Sequence, residues 1–575
     1  MHDLVIRGGR VVDGSGAPAR IADVAIEGDR IAAVGEEVGP GRQEIDAKGM
    51  LVTPGWVDIH THYDGQVTWD PHLTPSGWNG VTTLVMGNCG VGFAPVRPGQ
   101  EDFLIQLMEG VEDIPGTALA EGIDWKWESF PEYLDAVEKF PRSLDVAAQV
   151  PHGAVRAYVM GERGAKNEKA SNEDIEAMAA LVKEGLEAGA VGFSTSRTIL
   201  HRAKDGEVVP GTNAEDKEVL GIGRMLGEVG HGVFEVASDL APAQDELAWM
   251  KRLGRETGQP VAFACLQNPI EPEQWRQLLA EVDADAADGG HLVPQVAQRP
   301  AGLLLGWESS AHPFMFSPLW EAIAAMPVAE RREHLAKPEV RRSLIDSQID
   351  LSGNPLPGPA MFLANGFAMM YRLGDPPDYE PGPEKSVAAI AEREGRPPRE
   401  VAYDMLMENA GRGLLYLPLI GYAQGDLEAI RKMMVHPQAV FGLSDGGAHC
   451  GLICDASMPT FLLTHWVRDR KRGECLPIEF VVESQTRRTA ELYGMKDRGV
   501  LTPGMKADVN VIDFEALAIH TPEMVYDLPA QGKRLVQKID GYRYTIKSGE
   551  VTYEAGKPTG TMPGKLVRGP QAAPH

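Results

Sequence analysis

Between Pro54 and residue 496 the sequence alternates strand-length apolar runs with helix-length segments, and this alternation restricts the fold more than any other feature. The runs are "GWVDIH", "VTTLVMGN", "LDVAAQV", "AGAVGFST", "GVFEVAS", "QPVAFACL", "LVPQVAQ" and "AVFGLSD". Between several of them lie segments such as "NEDIEAMAALVKEGLEA" and "DELAWMKRLGRET". Alternating strands and helices imply a parallel sheet, and eight strand candidates suit a closed (β/α)8 barrel of the TIM type. The C-terminal strand ends are then where chemistry is expected.

Both ends of the chain read differently. "LVIRGGRVVDGSG", "ADVAIEGDRIAAVG" and, near the other terminus, "GVLTPGMKADVNVIDF" and "YRYTIKSGEVTYEAGKPTG" are short alternating strands broken by glycine turns. Residues 1–53 and 497–575 are therefore expected to form one composite β-sandwich domain beside a barrel of residues 54–496. A Pro/Gly-rich stretch around 346–385 interrupts the barrel pattern and is expected to form a lid-like insertion. The tail "VRGPQAAPH" is expected to be poorly ordered.

At 575 residues the chain exceeds what one hydrophobic core usually supports, and it is compatible with homo-oligomerisation. Its 55 Lys and Arg against 82 Asp and Glu give a net charge of −27, which argues against nucleic acid and anionic membranes as partners. Five cysteines without repeated spacing argue against a disulfide scaffold and fit a reducing cytoplasm. The start "MHDLVIRGGRVVDGSG" lacks a signal-peptide pattern, and no run approaches the ~18 apolar residues of a membrane span.

In a strand, residues i and i+2 share a face, so His60 and His62 in "PGWVDIHTHYDG" project together and can hold one divalent ion. A His-x-His pair alone is equally compatible with two hydrogen-bonded histidines. Context matters here: the pair follows a junction between a β unit and a barrel, and Asp445 in "VFGLSDGGAH" ends the eighth strand candidate.

Together these features resemble the amidohydrolase superfamily, and "VTPGWVDIHTHYDGQVTWDP", "GVTTLVMGNCGVGFAPVRP", "GIDWKWESFPEYLDAVE", "DVAAQVPHGAVRAYVMG", "AGAVGFSTS" and "GKPTGTMPGKLVR" resemble its N-acyl-D-amino-acid deacylase (D-aminoacylase) family. The resemblance implies a metal-dependent hydrolase acting on the C–N bond of a small-molecule amide, with one or two divalent ions, zinc by preference. It implies metal ligation by His60, His62, Cys89 and Asp445, with Asp445 also the general acid and base. Tyr63, His152 and His449 are expected at the substrate pocket.

The chain departs from the family pattern in the fifth and sixth strands, where the family supplies two more histidine ligands. Ala237 in "HGVFEVASDL" and Cys265 in "QPVAFACLQNP" stand at those positions. Two readings stay open: Cys265 as thiolate or Glu235 reaching inward completes the site, or His60, His62 and Asp445 hold one ion with open positions. A divergent homologue that binds a small molecule without this chemistry is the alternative function. The family's basic residue for the substrate carboxylate falls near the neutral Gln267, which makes Arg197 in "STSRT" the expected replacement. Gln295, Arg299 and His312 are placed around the seventh-strand mouth without an assigned role.

Overall fold

The computed structural model describes residues 1–354 and 356–574. Eight parallel strands follow one another in sequence order: Trp56–Asp58, Val81–Met86, Asp145–Pro151, Gly192–Arg197, Val233–Ser238, Val261–Ala264, Leu292–Val296 and Val440–Phe441. The eighth meets the first where Asp445 N donates to His60 O (3.1 Å) and His62 N to Gly446 O (2.8 Å), so the expected (β/α)8 barrel is present. Helices such as Asn172–Glu187, Asp216–Val229 and Ala243–Thr257 pack outside it, each through an apolar stripe.

A nine-stranded sheet takes strands from both chain ends. Leu51–Pro54 pairs antiparallel with Val509–Ile512, and this pairing joins the N-terminal strands to Tyr542–Lys547 and Glu550–Glu554. From Pro54 the chain enters the barrel through Gly55, where a Cβ would lie 2.2 Å from the Thr82 hydroxyl, so only glycine fits so close to the second strand. The sheet and barrel are bolted together by buried charge. Asp145 on the third barrel strand receives Lys547 Nζ (2.7 Å) and Arg498 Nη1 (2.7 Å), and Lys547 also binds Asp508 (2.8 Å).

The structure corrects three expectations about the segments outside the barrel strands. The insertion between the seventh and eighth strands is a folded body that extends well beyond residues 346–385 on both sides. It has its own sheet (Ala301–Leu305, Leu415–Ile420, Tyr371–Arg372) and its own core around Trp307, Phe314 and Tyr403. Its apolar residues are spread over many short helices, which read as loop when the Pro/Gly-rich part is viewed alone. The C-terminal region does not stay in the sheet: Glu523–Leu528 and Gly532–Val536 form a hairpin at the barrel mouth, where Leu535 N donates to Cys450 O. The tail is also tied down, with Val567 N bonded to Val146 O (2.7 Å) and Gly569 N to Gly189 O (2.8 Å). All five cysteines are free thiols. Among the described residues no helix is long and apolar enough to cross a membrane.

Candidate metal centre

The first strand ends in a bend that turns His60 and His62 into the barrel, both fully buried. Asp58 fastens this end to the eighth strand: its carboxylate accepts from Ser444 Oγ (2.6 Å) and from His60 N (3.3 Å). Barrel closure thereby carries Asp445 to the histidines. Asp445 Oδ1 lies 3.4 Å from His60 Nε2 and 3.7 Å from His62 Nε2, and Cys89 Sγ lies 3.3 Å from His60 Nε2. One donor atom each from His60, His62 and Cys89 fall within 4.8 Å of one another.

Cys89, Asp445 and His449 all adopt left-handed backbone, with φ of 56°, 48° and 51°. Non-glycine residues rarely accept this conformation, and its concentration at one site marks a place where the fold holds side chains against local preference. The Cys89 loop is pinned by Asn88 Nδ2 donating to Thr61 O (3.1 Å) and Val85 O (3.0 Å), and by Gly90 N donating to Ser194 Oγ (3.0 Å). Asp64, two residues past His62, accepts from Gly87 N (3.2 Å) and braces the same loop from below.

Two buried carboxylates complete the surroundings. Glu235, on the fifth strand, accepts from Cys89 N (2.9 Å), and its Oε1 lies 4.0 Å from His60 Nδ1. Glu112, at the end of helix Glu101–Glu112, places Oε1 3.3 Å from His62 Nδ1 and Oε2 3.5 Å from His449 Nε2. His449 is also 3.8 Å from Asp445 Oδ2, which places its ring beside the cluster. Gln295 Oε1 sits 3.0 Å from His60 Nδ1 and fixes the ring so that Nε2 faces Cys89 and Asp445.

The electrostatics of the cluster suit a cation. Burial pushes the His62 imidazole down to about 4, so it is neutral with a lone pair to offer. Burial, then the charges of Glu235, Glu112 and Asp445, push the Cys89 thiol well up, and burial with neighbouring acids does the same to Glu112. For Asp445, burial works toward a raised value, but His62, His60 and His449 outweigh it and hold the carboxyl below the usual range. His62 Nδ1, Glu112 Oε2 and Glu235 Oε1 are buried without a hydrogen-bond partner. Imidazole nitrogen, thiolate sulfur and carboxylate oxygen converging in this way fit a divalent ion of zinc type.

The amidohydrolase family profile matches residues 43–553, which take in the barrel and part of the composite sheet. The chain belongs to the amidohydrolase family. It is 32% identical over 268 residues to a D-aminoacylase of Alcaligenes xylosoxydans xylosoxydans, a stretch covering 46% of this chain and 50% of that protein. The match thus spans about half the length of that relative. An N-acyl-D-glutamate deacylase from the same organism is 26% identical over 584 residues, covering 98% of this chain and 96% of that one. The crystal structure of a D-aminoacylase is similar in fold, with a TM-score of 0.65 at 23% identity over 99% of this chain and 100% of the other. So is an N-acyl-D-glutamate deacylase from Bordetella bronchiseptica complexed with zinc and a phosphonate inhibitor, with a TM-score of 0.61 at 24% identity, covering 99% of each chain.

In this amidohydrolase the sixth strand brings no ligand. Cys265 Sγ faces outward, 3.9 Å from Met433 Sδ on a helix that packs against the barrel, and burial pushes its thiol up to about 12. Its position after Ala264 puts it on the face opposite the barrel interior. Ala237 on the fifth strand has no donor atom, so Glu235 is the acid that this strand turns toward the cluster. We expect Cys89→Ser to weaken zinc binding on the order of 10- to 100-fold or more, as loss of outer-shell partners already does. Cys265→Ser is expected to leave metal stoichiometry unchanged; zinc titration of the stripped variants reads both.

Several expected substrate residues are committed elsewhere. Tyr63 is buried with its hydroxyl donating to Ser76 Oγ (2.8 Å), and its ring packs where Gly446 and Gly447 leave room, so it spaces the eighth-strand loop. His152 lies 2.8 Å from Thr195 Oγ1 and 3.1 Å from Glu218 Oε1, behind the third and fourth strands. Arg197 grips Glu246 through Nε (2.8 Å) and Nη2 (2.7 Å), which uses the fork a substrate carboxylate would need. Gln267 binds Ala423 N (3.0 Å) and Gln424, tying the sixth-strand loop to the insertion. Arg299 pairs with Asp455, and His312 lies in the insertion's aromatic core beside Trp307 and Trp320.

Glu112 has no signal in the sequence. It ends an amphipathic helix beside Asp113, where an acid reads as solvated surface. His201, beyond the fourth strand and 3.0 Å from Ser196 Oγ, also lies within reach of the cluster's charges; burial, then His449 and His62, push it down to about 3.

Proposed function

We propose that this protein is a metal-dependent amidohydrolase that cleaves the C–N bond of an N-acyl-D-amino acid or a related small amide. The observation that carries this reading is the convergence of His60, His62, Cys89 and Asp445 at the C-terminal mouth of the barrel. Similarity to a D-aminoacylase and an N-acyl-D-glutamate deacylase supports the substrate class. His60, His62 and Cys89 would hold the ion, with Asp445 beside them and Glu235 and Glu112 behind. A divalent ion there supplies Lewis acidity, which acidifies water and polarises a carbonyl oxygen.

The chain's own groups do the rest. Gln295 keeps the His60 ring in one orientation, and Cys89 N holds Glu235 in place. Asp445, ionised and one quarter exposed, is the one carboxylate of the cluster open to the mouth. It takes the proton from the attacking water and returns it to the amide nitrogen, so that water and amide give a carboxylic acid and an amine, which then ionise to carboxylate and ammonium.

The expected result is release of amine and carboxylate from N-acetyl-D-amino acids by zinc-loaded protein, lost on chelation and restored by zinc. Protein that binds less than one ion per chain after growth with zinc, and hydrolyses no acylated amino acid of either hand, would sink the reading. It would favour the alternative that the positions of Ala237 and Cys265 suggest, a binding protein on the same fold.

A further inference from the structure

A second cavity, of about 530 Å³, lies between the insertion and the C-terminal hairpin, within the ~300–1,000 Å³ that small-molecule sites span. None of the residues lining it belongs to the metal cluster. The insertion supplies one wall from residues 306–309, 328, 329, 332 and 411–414, and the hairpin supplies the other through Glu523, Met524, Tyr526 and Leu535.

The polar groups of these walls are unequally satisfied, and that inequality decides which charge fits. The acids are engaged: Glu308 accepts from Arg332 Nη2 at Oε1 and from the Tyr526 hydroxyl at Oε2 (2.8 Å), and Glu523 pairs with Lys538. The donors are not. Trp307 Nε1, Arg332 Nε and Ser309 Oγ are buried without a hydrogen-bond partner, and all three residues line this one cavity. Arg412, exposed on the same wall, makes no ion pair among the described residues. Buried polar groups are almost always paired, so spare donors gathered around one space call for an acceptor from outside the chain. Beside them Val328, Leu414, Met524 and Leu535 offer apolar surface.

We propose that this cavity is a binding site for a small monocarboxylate with an apolar body, separate from the metal centre, and that the ligand fastens the hairpin to the insertion. The carboxylate oxygens meet the spare donors, and the apolar body lies against the aliphatic side chains of both walls. The hairpin carries the effect toward the barrel mouth, because Leu535 also lines the small cavity beside Asp445 and its N donates to Cys450 O in the loop after the eighth strand. This site does not depend on which substrate the metal centre takes.

Hexanoate titrated calorimetrically into zinc-loaded protein should bind, and hexanamide, which lacks the charge, should bind ~10-fold or more weakly. Ala329→Trp, at an exposed position on the cavity wall, fills the space and should abolish binding. Arg412→Gln, also exposed, should weaken it ~2- to 5-fold, the worth of a solvent-exposed charge. Both variants should keep the zinc content and thermal midpoint of the unmodified protein. Hydrogen–deuterium exchange in Glu523–Val536 should slow when hexanoate is added to the unmodified protein and stay unchanged in Ala329→Trp. Binding that survives Ala329→Trp at full strength would put the carboxylate on the zinc or elsewhere and overturn the site. No binding at all, or equal affinity for hexanoate and hexanamide, overturns it as well. Binding at this cavity with unaltered exchange in the hairpin overturns the fastening role.

Discussion

In Asp445→Asn, kcat for amide hydrolysis is expected to fall about 100- to 10,000-fold, the range spanned by loss of a positioned acid–base group. Asparagine keeps the size and one oxygen but neither takes up nor returns a proton. His60, His62 and Cys89 remain, so zinc content by elemental analysis should stay near one ion per chain or above. That pairing separates loss of the proton carrier from loss of the ion. Turnover at the unmodified rate on a confirmed amide substrate would show that Asp445 does not carry the proton. A fall in activity that tracks loss of metal would make it a ligand first.

The second large effect lies far from the site. Asp145→Asn leaves Lys547 and Arg498 buried with their shared partner neutralised, and the expected loss is about 3–5 kcal/mol, the usual result of breaking a buried pair on one side. Urea unfolding followed by far-UV circular dichroism checks the size. Acid adds an independent signature. Burial alone would raise the Asp145 carboxyl, but Lys547 and Arg498 overcome it and hold the group below the ordinary carboxylate range. A depressed carboxyl contributes stability that is present above the unfolded value of about 3.9 and is lost as pH falls toward the folded one. The unmodified protein should therefore lose stability on going below about pH 4 more steeply than Asp145→Asn. Parallel acid limbs for the two proteins would show that this carboxylate is not the one that couples sheet to barrel.

The two halves of the site differ in how openly they stand in the chain. His60 and His62 are readable because a strand repeats every two residues, and a histidine pair at that spacing shares a face wherever the strand lies. Asp445 is readable from its place after the eighth apolar run. Glu235 follows from the same alternation, two residues before Ala237. Arg197 shows the limit of such reasoning: a strand-end arginine has the right chemistry, but Glu246, 49 residues on, takes its fork. Cys265 fails for a related reason, since the strand's short hydrogen-bonded part, Val261–Ala264, turns that thiol outward to Met433.

Glu112 and the hairpin Glu523–Val536 were not legible at all. One ends a helix and the other lies among the last strands, and neither falls in a segment whose periodicity points at the barrel mouth. The sequence by itself determined the parallel barrel, the split β domain and the local pair His60 and His62, because hydrophobic period and turn chemistry act over a few residues. Only the tertiary structure decided which acids surround that pair, which arginines are spent on internal carboxylates, and that the hairpin packs beside the eighth-strand loop. Those choices depend on contacts between residues hundreds of positions apart, which burial and charge pairing select only once the chain has closed on itself.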